Sequence, residues 1–158
     1  MSAAVKAARR RTIAALSART PVGGPPRPER QRRLDDDPPL ELWAILDEAV
    51  IRRPVGGNAV MRTQLEHLLG MAARPGLTLQ VLPFSCGAHA GHAGAFSILE
   101  FPNRSDSEVA YVESVAGTTY LEKDKEVRVQ VEAFDRLRAA ALAPGASTDL
   151  IAQVAQEH

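Results

Sequence analysis

The arrangement of apolar and polar residues from position 40 onward predicts alternating strands and helices. The run 42–46 is almost wholly apolar, which is typical of a strand buried on both faces, and it continues less clearly to Ile51. Apolar residues then recur every three or four positions, which predicts an amphipathic helix over 59–73 with Asn58 as its N-cap. The apolar positions of that helix are Val60, Met61, Leu65, Leu68, Leu69 and Ala72.

The second half of the chain shows strand periodicity first and helical periodicity afterwards. Strands are predicted over 77–82, 95–101 and 109–112, with a short edge strand over 118–121. A long helix is predicted over about 124–143, and Ser147 is positioned to cap a last helix.

The resulting order, β-α-β-β-β-(β)-α-α, indicates an α/β (α+β) fold. We expect a mixed sheet of about four strands with a crossover helix and two C-terminal helices. One buried cluster should contain Trp43, Ile45, Leu65, Leu79, Val81, Ile98 and Phe134.

Residues 1–33 differ from the rest of the chain in charge and composition. They carry nine Lys or Arg residues against one acid, a net charge of +8, whereas 34–158 carry −8. Proline and glycine are frequent over 21–28, and a short helix over 5–16 is the one regular element that the composition allows. The sequence therefore predicts a basic, Pro/Gly-rich, disordered arm over 1–33 and a single globular domain over 34–158.

The arginines of this arm are candidates for non-specific contacts with nucleic acid. They are Arg9, Arg10, Arg11, Arg32 and Arg33. Contacts between arginine and phosphate weaken steeply with salt, and no aromatic residue lies among these arginines to stack on bases. No helix-turn-helix fits before residue 40, so we expect no sequence-specific DNA binding by this chain alone.

The composition excludes several classes of protein. A single cysteine rules out an internal disulfide framework. No apolar run approaches the roughly 18 residues of a membrane span, and no secretory leader is recognisable. We therefore expect a cytoplasmic location without a membrane partner, and the absence of a phosphate-cradling glycine motif predicts no cofactor.

The loop that follows the second predicted strand carries the residues best suited to bind a metal ion or to act in catalysis. Cys86, His89 and His92 have C-x2-H-x2-H spacing and could together bind zinc. This candidate metal site is weak, because a structural zinc site needs a fourth ligand. A small hydrolytic enzyme with a Cys–His pair in 84–93 is a further alternative, although no third group is visible to orient the histidine. Arg52 and Arg53 precede a helix start and form a weak candidate for binding an anion or a partner. No catalytic residue is predicted, and a non-enzymatic protein is the favoured interpretation.

Six segments, taken in their order along the chain, resemble a single known family. They are LWAILDEAVIRRPVGG (42–57), MRTQLEHLL (61–69), LTLQVLPFSCGAHAG (77–91), AFSILEFP (95–102), VAYVES (109–114) and FDRLRAAALAP (134–144). Together they are similar to the C-terminal domain of unknown function in actinobacterial antitoxin-like transcriptional regulators of the Scr type, which resemble the WhiJ-like regulators. The resemblance spans about 30–157.

The resemblance implies a regulatory module that binds a partner protein or an effector. In that family a helix-turn-helix domain normally comes first, whereas a Pro/Gly/Arg-rich segment stands in its place here. The implied partner is a small acidic protein encoded nearby, similar to the BldB-like proteins, and a separate helix-turn-helix protein is a second candidate partner. His89 stands where the family loop usually has a histidine, so it joins Arg52 and Arg53 as a candidate partner-binding residue. Cys86 and His92 look particular to this chain, and the family supplies no catalytic residue to carry over.

Overall fold

A mixed sheet of six strands forms the centre of the molecule. The computed structural model describes residues 9–14, 33–35, 40–101, 107–114 and 117–158. The strands are β1 (Arg9–Ala14), β2 (Leu42–Asp47), β3 (Leu77–Leu82), β4 (Phe96–Glu100), β5 (Val109–Ser114) and β6 (Gly117–Leu121). Their spatial order is β3-β2-β1-β4-β5-β6, in which β1, β2 and β3 run parallel and the remaining pairs are antiparallel.

Four α-helices accompany the sheet. They are α1 (Glu48–Arg52), α2 (Asn58–Ala72), α3 (Asp124–Ala140) and α4 (Pro144–Glu157), and short 3₁₀ turns lie at Arg33–Asp35, Phe84–Cys86 and Ala90–Ala93. The predicted fold class is confirmed, because α2 crosses between the parallel strands β2 and β3 and two helices follow the last strand. No helix in the described ranges is long and apolar enough to cross a membrane.

Apolar side chains form two clusters, one on each face of the sheet, rather than the single predicted cluster. Ile45, Ile98 and Phe134 belong to the cluster beneath α3, whereas Leu65 and Val81 belong to the cluster beneath α2 and α4. The expectation of one cluster was wrong because successive residues of a strand point to opposite faces. β2 and β3 therefore each supply residues to both clusters.

β1 corrects the prediction of a disordered arm for residues 9–14. This strand lies between β2, to which it is parallel, and β4, to which it is antiparallel, with Ile13 in register with Ile45 and Phe96. The prediction of a helix across these residues was also wrong. Backbone hydrogen bonds to two neighbours hold a central strand and do not require apolar periodicity, so the arginine-rich sequence gave no sign of it. The rest of the arm, 1–8 and 15–32, lies outside the described residues.

A short helix replaces the predicted extension of the first apolar strand. Asp47 ends β2 in extended geometry, and its Oδ1 accepts a hydrogen bond of 2.8 Å from the backbone N–H of Ala49. This is an N-cap, so residues 48–51 begin α1 instead of continuing the strand. As a result, Asp47 and Glu48 do not point to opposite faces of a strand, and both remain at the carboxyl edge of the sheet.

The connection between α3 and α4, with the first turn of α4, bonds to the outer edge of β3 at Val81. The backbone N–H of Leu142 donates to the carbonyl of Val81 at 2.9 Å, and the N–H of Val81 donates to the hydroxyl of Ser147 at 2.9 Å. Ser147 is wholly buried and is not the predicted N-cap, since α4 already begins at Pro144. Proline is favoured in the first turn of a helix because that turn needs no N–H donor from it.

Candidate functional site

Polar side chains gather at the carboxyl ends of β2 and β3. β2 leads directly into α1, and β3 leads into the loop of residues 83–95. Because these strands are parallel neighbours, their carboxyl ends meet at the same edge of the sheet, where α/β proteins usually bind ligands. We therefore take this edge as the candidate site.

Asp47 and His89 join α1 to the loop after β3. The Nε2 atom of His89 lies 3.2 Å from Oδ2 of Asp47, and the Nδ1 atom accepts a hydrogen bond of 3.1 Å from the N–H of Gly91. An accepting Nδ1 places the proton on Nε2, which then donates to the carboxylate. Both ring nitrogens of His89 are thus engaged within the chain, which is the arrangement of a histidine that fixes a loop.

Glu48 is a nearly buried carboxylate with partners from two elements. It is 8% exposed; its Oε2 accepts from the N–H of Phe84 at 2.7 Å, and its Oε1 accepts from Nε of Arg52 at 2.7 Å. Burial of an ionised carboxylate is unfavourable unless hydrogen bonds and an opposite charge compensate it, and here both are present. Glu48 therefore ties the start of the loop to α1.

Arg52 continues this network to the C-terminal helix. Its Nη1 atom lies 2.9 Å from Oε2 of Glu157, the last residue of α4. The hydrogen bond to Glu48, with the charges of both carboxylates, raises the pKa of Arg52. The guanidinium predicted to bind an anion is thus already paired with two carboxylates. Arg53 is exposed, and its predicted role in binding stays a prediction.

The predicted zinc ligands do not form a complete set in the described structure. Cys86 is a half-buried free thiol whose Sγ contacts the carbonyl of Gly87 at 3.6 Å. The side chain of His92 lies outside the described part of the chain. Among the residues that the structure describes, no three His, Cys, Asp or Glu side chains are grouped to hold a metal ion.

The arginines predicted to contact nucleic acid lie mostly beyond what the structure describes. Arg9, Arg10 and Arg11 belong to the backbone of β1, and Arg33 begins a 3₁₀ turn. Their side chains, and all of Arg32, fall outside the described residues. Non-specific contact with nucleic acid through them stays a prediction.

Exposed apolar residues at the same edge of the sheet were not predicted as part of a site. Val55, Val60 and Phe84 are each more than half exposed, and we call this set the apolar edge. Val55 lies in the connection from α1 to α2, Val60 lies in the first turn of α2, and Phe84 follows β3. Large apolar side chains that remain exposed together commonly mark an interaction surface. The sign of this surface in the sequence was Phe84, a large aromatic residue that follows the end of β3.

Val60 also corrects the predicted apolar face of α2. Met61 and Leu65 are buried as expected, whereas Val60 is exposed. Residues one position apart on a helix differ by about 100° in direction, so Val60 and Met61 cannot both face the sheet squarely. The methyl groups of Val60 instead face the glycine-containing connection, since a Cβ atom added to Gly56 would lie 3.2 Å from Cγ1 of Val60.

The segment 53–63, which carries two of the three exposed apolar residues, is basic, although the domain as a whole is acidic. Arg53 and Arg62 are the only charged residues in 53–63, and both are exposed. The loop segment 83–94 contains no Asp, Glu, Lys or Arg. The edge therefore combines exposed apolar area with two exposed arginines, beside the carboxylates Asp47 and Glu48, which are bonded within the chain.

Comparison with known proteins places most of the chain in one family. Residues 24–153 match the family model described as Domain of unknown function (DUF5753). This range contains every element from β2 to β6, the apolar edge and the polar network except Glu157, whereas β1 precedes it. No curated protein and no solved structure matches the chain.

Proposed function

The chain belongs to the DUF5753 family of domains of unknown function, and from this premise we propose that it is a regulatory binding module. Its proposed partner is a small acidic protein, encoded nearby and similar to the BldB-like proteins, which it binds through the apolar edge. We further propose that the module belongs to the antitoxin-like transcriptional regulators of the Scr type, as the ordered segments of its sequence suggest. Direct sequence-specific contact with DNA is not part of this function.

One observation carries the proposal: at the carboxyl edge of the sheet, the acidic and imidazole groups are bonded to one another while apolar side chains are left exposed. His89 uses both nitrogens, and Glu48 uses both oxygens, in contacts within the chain. A general acid or base must reach a substrate proton, so groups already bonded in this way favour a structural role. The exposed area beside them favours binding of a protein.

The charge around the apolar edge supports an acidic partner. Arg53 and Arg62 flank the exposed valines, and the segment 53–63 contains no acidic residue. The remainder of residues 34–158, outside 53–63, would repel an acidic protein through its net charge of −10. An acidic partner is therefore guided toward this edge and away from the other faces, because complementary charge increases the rate of association and disfavours wrong orientations.

Isothermal titration calorimetry with the small acidic protein encoded beside this chain's gene tests the proposal. We expect binding by the full chain that weakens at least tenfold, about 1.4 kcal/mol, in the variant Phe84→Ser and in the charge reversal Arg53→Glu. Matched controls are Val129→Ser and Arg136→Glu, which alter equally exposed positions on α3.

Two results would contradict the proposal. Absence of binding by the unmodified chain would remove the proposed partner. Equal losses in the α3 controls and in the apolar-edge variants would remove the proposed surface. Circular dichroism of each variant separates a loss of binding from a loss of fold.

A further inference from the structure

The two outer strands of the sheet, β3 and β6, differ in the partners of their outward-facing backbone groups. On β3, Leu142 and Ser147 bond both backbone groups of Val81, so the carboxyl-terminal part of this edge is bonded within the molecule. At the opposite end of the sheet, β6 pairs with β5 on one side, and no strand of the described chain lies against the other side of β6. Alternate residues of β6 therefore turn their N–H and C=O groups away from the sheet.

The sequence of β6 carries none of the usual protection of an edge strand. Natural edge strands are commonly blunted by charged residues, especially lysine, or by proline. β6 has the sequence Gly-Thr-Thr-Tyr-Leu, without a charge or a proline, and threonine and tyrosine are enriched in paired strands. An uncharged strand of this composition is suited to pairing with another strand.

An aromatic pair lies beside this edge. Tyr120 is 63% exposed, and its ring centroid lies 5.3 Å from that of Tyr111 on β5, with an angle of 64° between the ring planes. The Tyr111–Tyr120 pair adds apolar area next to the outward backbone groups of β6. A strand placed against β6 would cover part of that area.

We propose that β6 is a dimerisation strand, which pairs antiparallel with β6 of a second copy of this chain. An open strand edge is recognised by the backbone of another extended strand. Since the β3 edge is already bonded to the α3–α4 connection at Val81, β6 is the outer strand of the described sheet that is better suited to join two copies. Pairing of identical edges about a two-fold axis uses both edges at once and closes the assembly, so it produces a dimer and not a fibre.

Electrostatics and cross-strand contacts are compatible with this symmetry. Because β6 carries no charge, a two-fold axis brings no like charges together within the paired strands. Opposed threonine and aromatic residues stabilise antiparallel pairs.

The length of the strand determines how stable the dimer is. Five residues extend over roughly 17 Å, which is short for an interface between obligate partners. We therefore expect a reversible dimer with a dissociation constant in the micromolar range, on the order of 1–100 µM. This dimer is independent of the proposed partner, which binds at the apolar edge.

Sedimentation equilibrium of the full chain, from about one to a few hundred micromolar, tests whether the dimer forms. We expect the unmodified chain to dimerise and Thr119→Lys to weaken dimerisation at least tenfold, because a two-fold pairing centred on the middle residue of β6 sets the two lysines against each other. Val129→Lys, at a position 61% exposed on α3, is the matched control and should dimerise like the unmodified chain. A monomer throughout the range, or an equal effect of the two lysines, would overturn the proposal.

Disulfide trapping then tests which strand forms the contact. In a Cys86→Ser background, cysteines are placed singly at Thr118, Thr119 and Tyr120, and separately at Val129. We expect oxidation to link two chains in at least one of the three β6 variants and not in the Val129→Cys control. Failure of all three to link, or a dimer that survives Thr119→Lys but is lost in Phe84→Ser, would assign the contact to another surface and contradict the proposal.

Discussion

Replacement of Glu48 by glutamine is the sharpest perturbation of the polar network. Glutamine keeps the shape of glutamate but offers one accepting oxygen and one donating NH₂ group. Both oxygens of Glu48 accept hydrogen bonds, one from Phe84 N–H and one from Arg52 Nε–H. Glu48→Gln therefore sets a donor against a donor at one of these contacts and removes the negative charge opposite Arg52.

The expected cost follows from burial. A hydrogen bond to a charged group contributes about 1.5–3 kcal/mol, and removal of one partner from a fully buried ion pair costs roughly 3–5 kcal/mol. Arg52 is 34% exposed at its side chain and keeps Glu157, so part of its charge remains solvated and paired. We expect Glu48→Gln to lower the free energy of unfolding by about 2–3 kcal/mol.

The matched control alters the other carboxylate that contacts Arg52. Glu157 is 47% exposed, and exposed ion pairs contribute roughly 0–1 kcal/mol, so Glu157→Gln should lower stability by less than about 1 kcal/mol. Urea unfolding at pH 7, followed by the fluorescence of Trp43, the only tryptophan, measures both values. A loss of only a few tenths for Glu48→Gln, or equal losses in the two variants, would refute the assignment of Glu48 as the group that holds this edge together.

Three further predictions concern the core and the sheet. Phe134→Ala should lower the free energy of unfolding by about 3–5 kcal/mol in urea, because the ring is wholly buried and packs edge-on against Trp43; a loss of a few tenths would show that α3 does not pack there. Ser147→Ala should cost about 1–3 kcal/mol in thermal unfolding, because the N–H of Val81 loses its acceptor; an unchanged midpoint would contradict this role. Deletion of residues 1–14 should abolish the cooperative unfolding transition seen by circular dichroism, because β2 and β4 lose the strand between them; a transition that survives intact would show that β1 is dispensable.

The elements that were predicted correctly have strong periodicity of their own. The three- and four-residue spacing around Leu65 indicated α2, and the alternation over 77–82 indicated β3. β1 could not be predicted in this way, since its stability comes from backbone bonds to strands that lie far away in the sequence. The two-cluster core was missed for a related reason: burial was predicted for each element, whereas the face that each residue takes is set by the assembled sheet.

Individual residues of the candidate site could be predicted from the sequence, but the contacts between them could not. His89 and Arg52 were recognised as candidate residues, but the contacts that occupy them join positions far apart in the chain, such as Arg52 and Glu157. Periodicity and spacing report on neighbours in sequence, and these ion pairs are fixed by tertiary packing. The exposed face of Val60 likewise depends on where the sheet lies relative to α2.

Hydrogen exchange of the full chain, with and without the small acidic protein encoded beside it, tests the proposed binding surface most directly. Binding at the apolar edge should slow exchange in 53–63 and in 83–94, which carry the exposed valines and Phe84, while exchange in α3 stays unchanged. Protection confined to α3 or to β6, with no change at the apolar edge, would contradict the account.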